Sequence, residues 1–88
     1  MLYAELKEYR ILIIFDSMGQ ALGAERVLNK NKCPSAMIPT PRSLRSGCNS
    51  AVCFPMERIE LVDELTDGGV RFTGIYEAME EGFKPLKW

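Results

Sequence analysis

The chain contains no histidine. That absence excludes Cys-His and Ser-His-Asp catalysis within the chain, and every zinc site that needs an imidazole. Cysteine is scarce as well, with only Cys33, Cys48 and Cys53. The number is odd and no Cys-x-x-Cys occurs, so neither a disulfide framework nor a thioredoxin-type pair is indicated. Their spacing matches no standard three-thiolate site, and neither a metal nor any other cofactor is expected. An excess of one charge is missing too. The formal net charge is −1, which gives no basic field for nucleic acid and no acidic tail. No apolar run approaches the roughly 18 residues of a membrane span. The first eight residues, Met-Leu-Tyr-Ala-Glu-Leu-Lys-Glu, lack the cationic-then-apolar pattern of a secretory leader. The expectation is a cytoplasmic protein.

What is present suits one small domain. The 88 residues leave no room for a second, and a hydrophobic fraction of 47% is enough for a globular core. Residues 1–8 read as a lead-in, residues 9–78 as the folded domain and residues 79–88 as a tail without period. Residues 9–15, Tyr-Arg-Ile-Leu-Ile-Ile-Phe, are β-branched and apolar on both faces, which predicts a central strand. Ser17, with Gln20 three residues on, fits a capping box that opens a helix to about Asn31. Its buried stripe is Ala21, Ala24 and Leu28. Pro34 prevents continuation.

A short strand over residues 35–38 follows, closed by Pro39 and Pro41 as suits an edge. After a loop over residues 40–48, a strand over residues 49–54 alternates Ala51 and Cys53 against Val52 and Phe54. Pro55 opens a second helix with Ile59, Val62 and Leu65 buried, and Asp67-Gly68-Gly69 stops it. Val70, Phe72 and Tyr76 then alternate in a last strand, with Gly74 at the place of a bulge.

The order βαββαβ predicts an α+β, ferredoxin-like domain. Its four-stranded antiparallel sheet would have the order 4-1-3-2, with both helices on one face. The central strand is apolar on both sides, so something must cover the other face. Either Phe83, Leu86 and Trp88 do so, or a second copy does, and the expectation is a homodimer.

One stretch reads neither as ordinary core nor as ordinary surface. Between Pro39 and Phe54 two prolines are followed by Arg42, Arg45 and Gly47, and then by Cys48 in a polar setting. The predicted topology puts this loop at the same end of the sheet as Ser17 and the first helix N-terminus. Backbone N–H groups favour an anion there, and the nucleophilic form of a thiol is its anion. Cys48 is therefore expected as an exposed, reactive thiol supported by Arg42, Arg45, Gly47, Asn49 and Ser17. Cys53 reads as a core residue on its strand, and Cys33 as incidental to the helix end.

The motifs resemble a small family described as selenium/sulfur carrier proteins. The resemblance rests on Ile11-Leu-Ile-Ile-Phe15, on Ala21-Leu-Gly-Ala-Glu-Arg-Val-Leu28 and on Ile38-Pro-Thr-Pro-Arg42. It also rests on the serine-rich approach to Cys48 and on Gly74-Ile-Tyr-Glu77. The family pattern has a glycine after the cysteine; here Asn49 follows Cys48 and Gly47 precedes it. The resemblance implies a carrier that holds a persulfide or selenopersulfide on Cys48. It would be loaded by a cysteine desulfurase-like donor, discharged to an acceptor enzyme, and without catalysis of its own.

Two other classes fit the same element order. RNA-recognition modules stack bases on aromatics of the third strand, but here those positions fall on Asn49 and Ala51. A regulatory or protein-interaction domain indifferent to its cysteine is the alternative to the carrier.

Overall fold

The segment with apolar residues on both faces forms the centre of the molecule. In the computed structural model, which describes residues 4–44 and 48–88, β1 (Ile11–Ile14) is buried at every position. It is shorter than expected at its start. The Tyr9 N–H donates to the Glu5 carbonyl at 2.8 Å and so belongs to the end of a short helix, α1 (Ala4–Glu8).

Around β1 lies an open antiparallel sheet of β2 (Ala36–Pro39), β3 (Ser50–Phe54), β4 (Gly74–Met79) and β5 (Gly82–Pro85). The order is β2-β3-β1-β4-β5. The expectation of four strands is corrected to five. The additional strand arises in the stretch read as a tail, where the chain turns at Glu80-Glu81 and pairs Ala78 with Phe83 and Tyr76 with Pro85. Four residues are too few to show a period in the sequence, but β4 supplies the ladder that the tail completes.

The helices of the predicted order lie on one face. α2 (Met18–Lys30) contributes Ala21, Ala24 and Leu28 to a cluster with Ile11, Ile13, Phe15, Val52 and Phe54. α3 (Leu61–Asp67) adds Leu61, Val62 and Leu65. Ser17 caps α2 as predicted, its Oγ accepting the Gln20 N–H at 3.3 Å. The Gln20 side chain does not complete the box. Its Oε1 accepts the Arg71 N–H at 2.7 Å, tying the α3–β4 connection to the first turn of α2.

The segment after Pro55 winds first as a 3₁₀ turn, Met56–Arg58, and becomes α-helical only at Leu61. α3 ends in a Schellman arrangement. Gly69 takes φ 84°, the Gly69 N–H donates to Thr66, and the Val70 N–H donates to Leu65. The last predicted strand begins at Gly74 rather than Val70. Val70 and Phe72 pack on the helix side, as Ile75 does, whereas Tyr76 packs on the other. The alternation therefore changes phase between Phe72 and Ile75.

The second face of the sheet is covered from within the chain. Leu6 of α1 is fully buried against Leu12, Ile14, Ile38, Ala51, Cys53 and Ala78, with Tyr9, Tyr76 and Phe83 at the edge. Of the three C-terminal residues expected there, only Phe83 arrives. Leu86 packs on the helix side, and Trp88 is exposed, with its indole N–H donating to Asp63 at 3.0 Å. The ground on which a second copy was expected is thus taken by α1 and β5. Among the described residues, no helix is long and apolar enough to cross a membrane.

Candidate functional site

The β2–β3 connection returns the chain to the sheet through Cys48. β3 pairs with β1 so that Ala51 lies opposite Ile14. Cys48 therefore enters at the end of the sheet where β1 leaves for Ser17 and α2, the end the sequence assigns to it. A cleft lined by Leu6, Lys7, Arg10, Met79 and Glu81 lies at the opposite end, next to the start of β1, and plays no part in this site.

The connection is pinned close to the sheet. The Thr40 N–H donates to the Asn49 carbonyl at 2.8 Å and carries the β2–β3 ladder one step past Pro39 and Ser50. The Thr40 hydroxyl donates to the Cys48 carbonyl at 3.0 Å. Next, the Leu44 N–H donates to the Pro41 carbonyl at 2.9 Å, closing a turn. The Leu44 side chain is buried in the cluster beneath the second face.

These contacts overturn one expectation. Cys48 does not stand out in solvent; it is 6% exposed. Its Sγ accepts the Ser50 N–H at 3.4 Å, so the sulfur is turned towards the start of β3. The sequence showed a thiol among polar neighbours. What it did not show was that Thr40 and Leu44 fold the connection against the sheet. Leu44 is the one large aliphatic side chain between Thr40 and Gly47, and that isolation was the available signal for an anchor.

The proposed supporting residues fare differently. Ser17 is an N-cap, with its Oγ engaged by its own helix. Arg42 and Asn49 are exposed. Arg45 and Gly47 lie outside the described residues. The structure brings Cys48, Asn49 and Ser17 to one end of the sheet, and it adds Thr40, Leu44 and Ser50 as the residues that hold Cys48.

The other two cysteines belong to the core. Cys33 is not incidental: it is buried in the helix-side cluster, and its thiol donates to the Pro34 carbonyl at 3.4 Å. Burial pushes the Cys33 thiol up, opposed by the nearby Arg58 charge. Cys53 is fully buried in the second cluster, as the sequence predicts, with its thiol donating to Ala36 at 3.6 Å. Burial pushes Cys53 up to about 11, and the Glu5 carboxylate adds to this. A thiol held neutral in this way is a poor nucleophile.

A pH dependence follows from Cys53. Released by unfolding, its thiol ionises near the ordinary value of about 8.5. In the folded protein it stays neutral to about 11. The stability this provides is complete below the unfolded value and is lost as the pH rises through the folded one. The loss is on the order of 3 kcal/mol at most. Thermal midpoints measured from pH 8 to 11 are expected to fall more steeply for the native protein than for Cys53→Ala. Parallel curves would contradict the assignment.

Among the described residues no group of three or more His, Cys, Asp or Glu side chains is placed to hold a metal ion. The family described as "Putative Se/S carrier protein-like" matches residues 10–77, a span from the start of β1 to Glu77 of β4 that includes the whole β2–β3 connection. No curated protein matches the chain, and no solved structure does.

Proposed function

The chain belongs to the Se/S carrier protein-like family, and from that premise we propose that Cys48 carries sulfur or selenium between partner enzymes. The observation that carries this reading is the separation of the three cysteines. Cys33 and Cys53 each belong to an apolar cluster of described residues, and Cys48 belongs to neither.

Loading requires no net oxidation. The Cys48 thiolate attacks the outer sulfur of a donor persulfide, the donor's S–S bond breaks, and the donor cysteine leaves as thiolate. Cys48 then holds the new S–S bond. A selenopersulfide forms in the same way, with selenium as the outer atom. The donor is a cysteine desulfurase-like enzyme, and the acceptor is the enzyme that consumes the carried atom. Because the chain has no histidine, acid–base groups come from those partners.

The burial of Cys48 favours a second reading. In it the chain is an interaction domain, a ferredoxin-like sandwich extended by one strand, and the Cys48 sulfur serves only to seat the start of β3. Intact-mass analysis separates the two. Protein treated with a cysteine desulfurase and cysteine is expected to gain about 32 Da, or about 79 Da when selenocysteine replaces cysteine as the enzyme's substrate, on a thiolate-forming cysteine. Peptide mapping is expected to place the addition on Cys48. No addition from the enzyme, and none from a small-molecule polysulfide given to protein with its connection opened by mild urea, would leave the interaction domain standing.

A further inference from the structure

We propose that the outward face of the first two turns of α2, with Met18 and Leu22 at its centre and Arg26 and Arg71 at its rim, is where the sulfur-donating enzyme docks. The inference rests on the carrier reading. The complementary surface on the donor is an apolar hollow edged with carboxylates.

Met18 and Leu22 are four residues apart on α2 and therefore lie side by side on one face. They are 46% and 45% exposed, and neither belongs to either apolar cluster. The helix buries Ala21, Ala24 and Leu28 instead. Among the described residues, Trp88 is the one other large apolar side chain so exposed, and it is tied by its indole to Asp63 of α3. Folding thus gives the pair on α2 nothing to cover.

Cations flank the pair. Arg26 follows Leu22 by four residues and continues the same row. Arg71 is brought to the first turn of α2 by its own N–H, which donates to Gln20 Oε1 at 2.7 Å. Both arginines are exposed, and among the described residues no carboxylate pairs with either. Asp16 and the half-buried Glu25 are the opposing charges nearby in sequence. The imbalance is wider than this face. Residues 16–48 carry five Lys or Arg and two acids, whereas residues 57–81 carry two Lys or Arg and eight acids. An acidic partner is therefore drawn to the α2 side and repelled from the other.

The face also lies at the right end of the molecule. Ile14 pairs with Ala51; Met18 lies four residues beyond the first, and Cys48 three residues before the second. Such lengths of chain reach no more than about 14 Å. A donor seated on Met18 and Leu22 stands over the end of the sheet that holds Cys48, where its own acid–base groups are needed. An anchor of two side chains suits a small, transient interface, which a carrier must leave after loading.

The test compares loading by a cysteine desulfurase and cysteine with loading by a small-molecule polysulfide. Calorimetric titration of the desulfurase against the chain measures docking without loading. Met18→Glu and Leu22→Glu place charges at exposed sites and should leave the circular dichroism unchanged. Each is expected to slow enzymatic loading and weaken binding about tenfold or more, with polysulfide loading unaltered. Arg26→Glu should have an effect of about three- to tenfold that fades as salt is raised. Trp88→Ala, exposed elsewhere, should change neither. Unaltered enzymatic loading and binding in both Met18→Glu and Leu22→Glu overturn the docking face. So does an equal loss of polysulfide loading, which would mean that the substitutions disturb Cys48 itself. Sedimentation that finds a dimer of the native chain, dissolved by Leu22→Glu, also overturns it and assigns the face to a second copy. The two proposals fail separately. Desulfurase binding that depends on Leu22 without loading from any source defeats the carrier reading alone, whereas polysulfide loading of Cys48 with no dependence on Met18 or Leu22 defeats the docking face alone.

Discussion

Cys48→Ser is expected to abolish sulfur uptake, removing the whole gain of about 32 Da from a persulfide donor, because serine offers no thiolate. Cys33→Ser and Cys53→Ala are expected to retain the gain wherever they remain folded. The contrast rests on surroundings, since all three residues are largely buried. Cys33 and Cys53 donate their thiol protons to carbonyl groups and lie among apolar side chains that hold them neutral. Reaching either one requires dismantling a cluster that includes β1. Cys48 lies at the end of the sheet before β3 begins, with its sulfur accepting the Ser50 N–H and its carbonyl accepting the Thr40 hydroxyl. Intact-mass spectra of the three variants, with circular dichroism to verify folding, decide the matter. Uptake that survives in Cys48→Ser, or that vanishes in a folded Cys53→Ala, would move the carrier site elsewhere.

The second large effect concerns α1. Leu6→Asp is expected to destabilise the protein by about 4 kcal/mol or more. Removing a buried leucine alone costs about 2–5 kcal/mol, and the carboxylate adds the cost of leaving water. A domain of this size holds only about 5–15 kcal/mol, so the variant should be mostly unfolded at modest temperature. The reasoning is that Leu6 is fully buried in the cluster under the second face. Without it, Leu12, Ile14 and Ala51 lose their cover on that side. Glu8→Ala, at an exposed position on the same short helix, should change stability by no more than about 0.5 kcal/mol. Urea titrations of both variants provide the comparison. A Leu6→Asp protein as stable as Glu8→Ala would show that α1 does not cover the sheet.

Leu6 also shows where the sequence stopped being legible. A residue in a five-residue helix has no periodic neighbours to identify its face. Phe83 and Leu86 present the same difficulty. They lie three residues apart in a stretch without period, yet they pack on opposite sides of the sheet. Gly74 is a third case. The sequence marked a bulge there but kept Val70, Phe72 and Tyr76 on one face, whereas the structure puts Tyr76 on the other. The Tyr76 ring occupies the space beside Gly74, where a Cβ would lie 2.9 Å from it. Each of these depends on what another segment offers, and no local window contains that information.

By itself the sequence determined the central strand, the capped and amphipathic α2, the opposed faces of Ala51 and Cys53 against Val52 and Phe54, and the end of the sheet at which Cys48 lies. All of these follow from spacing within one segment and from right-handed connection between segments. Only the tertiary structure decided that a fifth strand closes the edge beyond β4, that α1 covers the second face, and that Cys48 is buried. Burial and cover are made by residues distant in the chain finding a common apolar surface. The seat that Leu44 takes exists only once β1, β2 and β3 have paired.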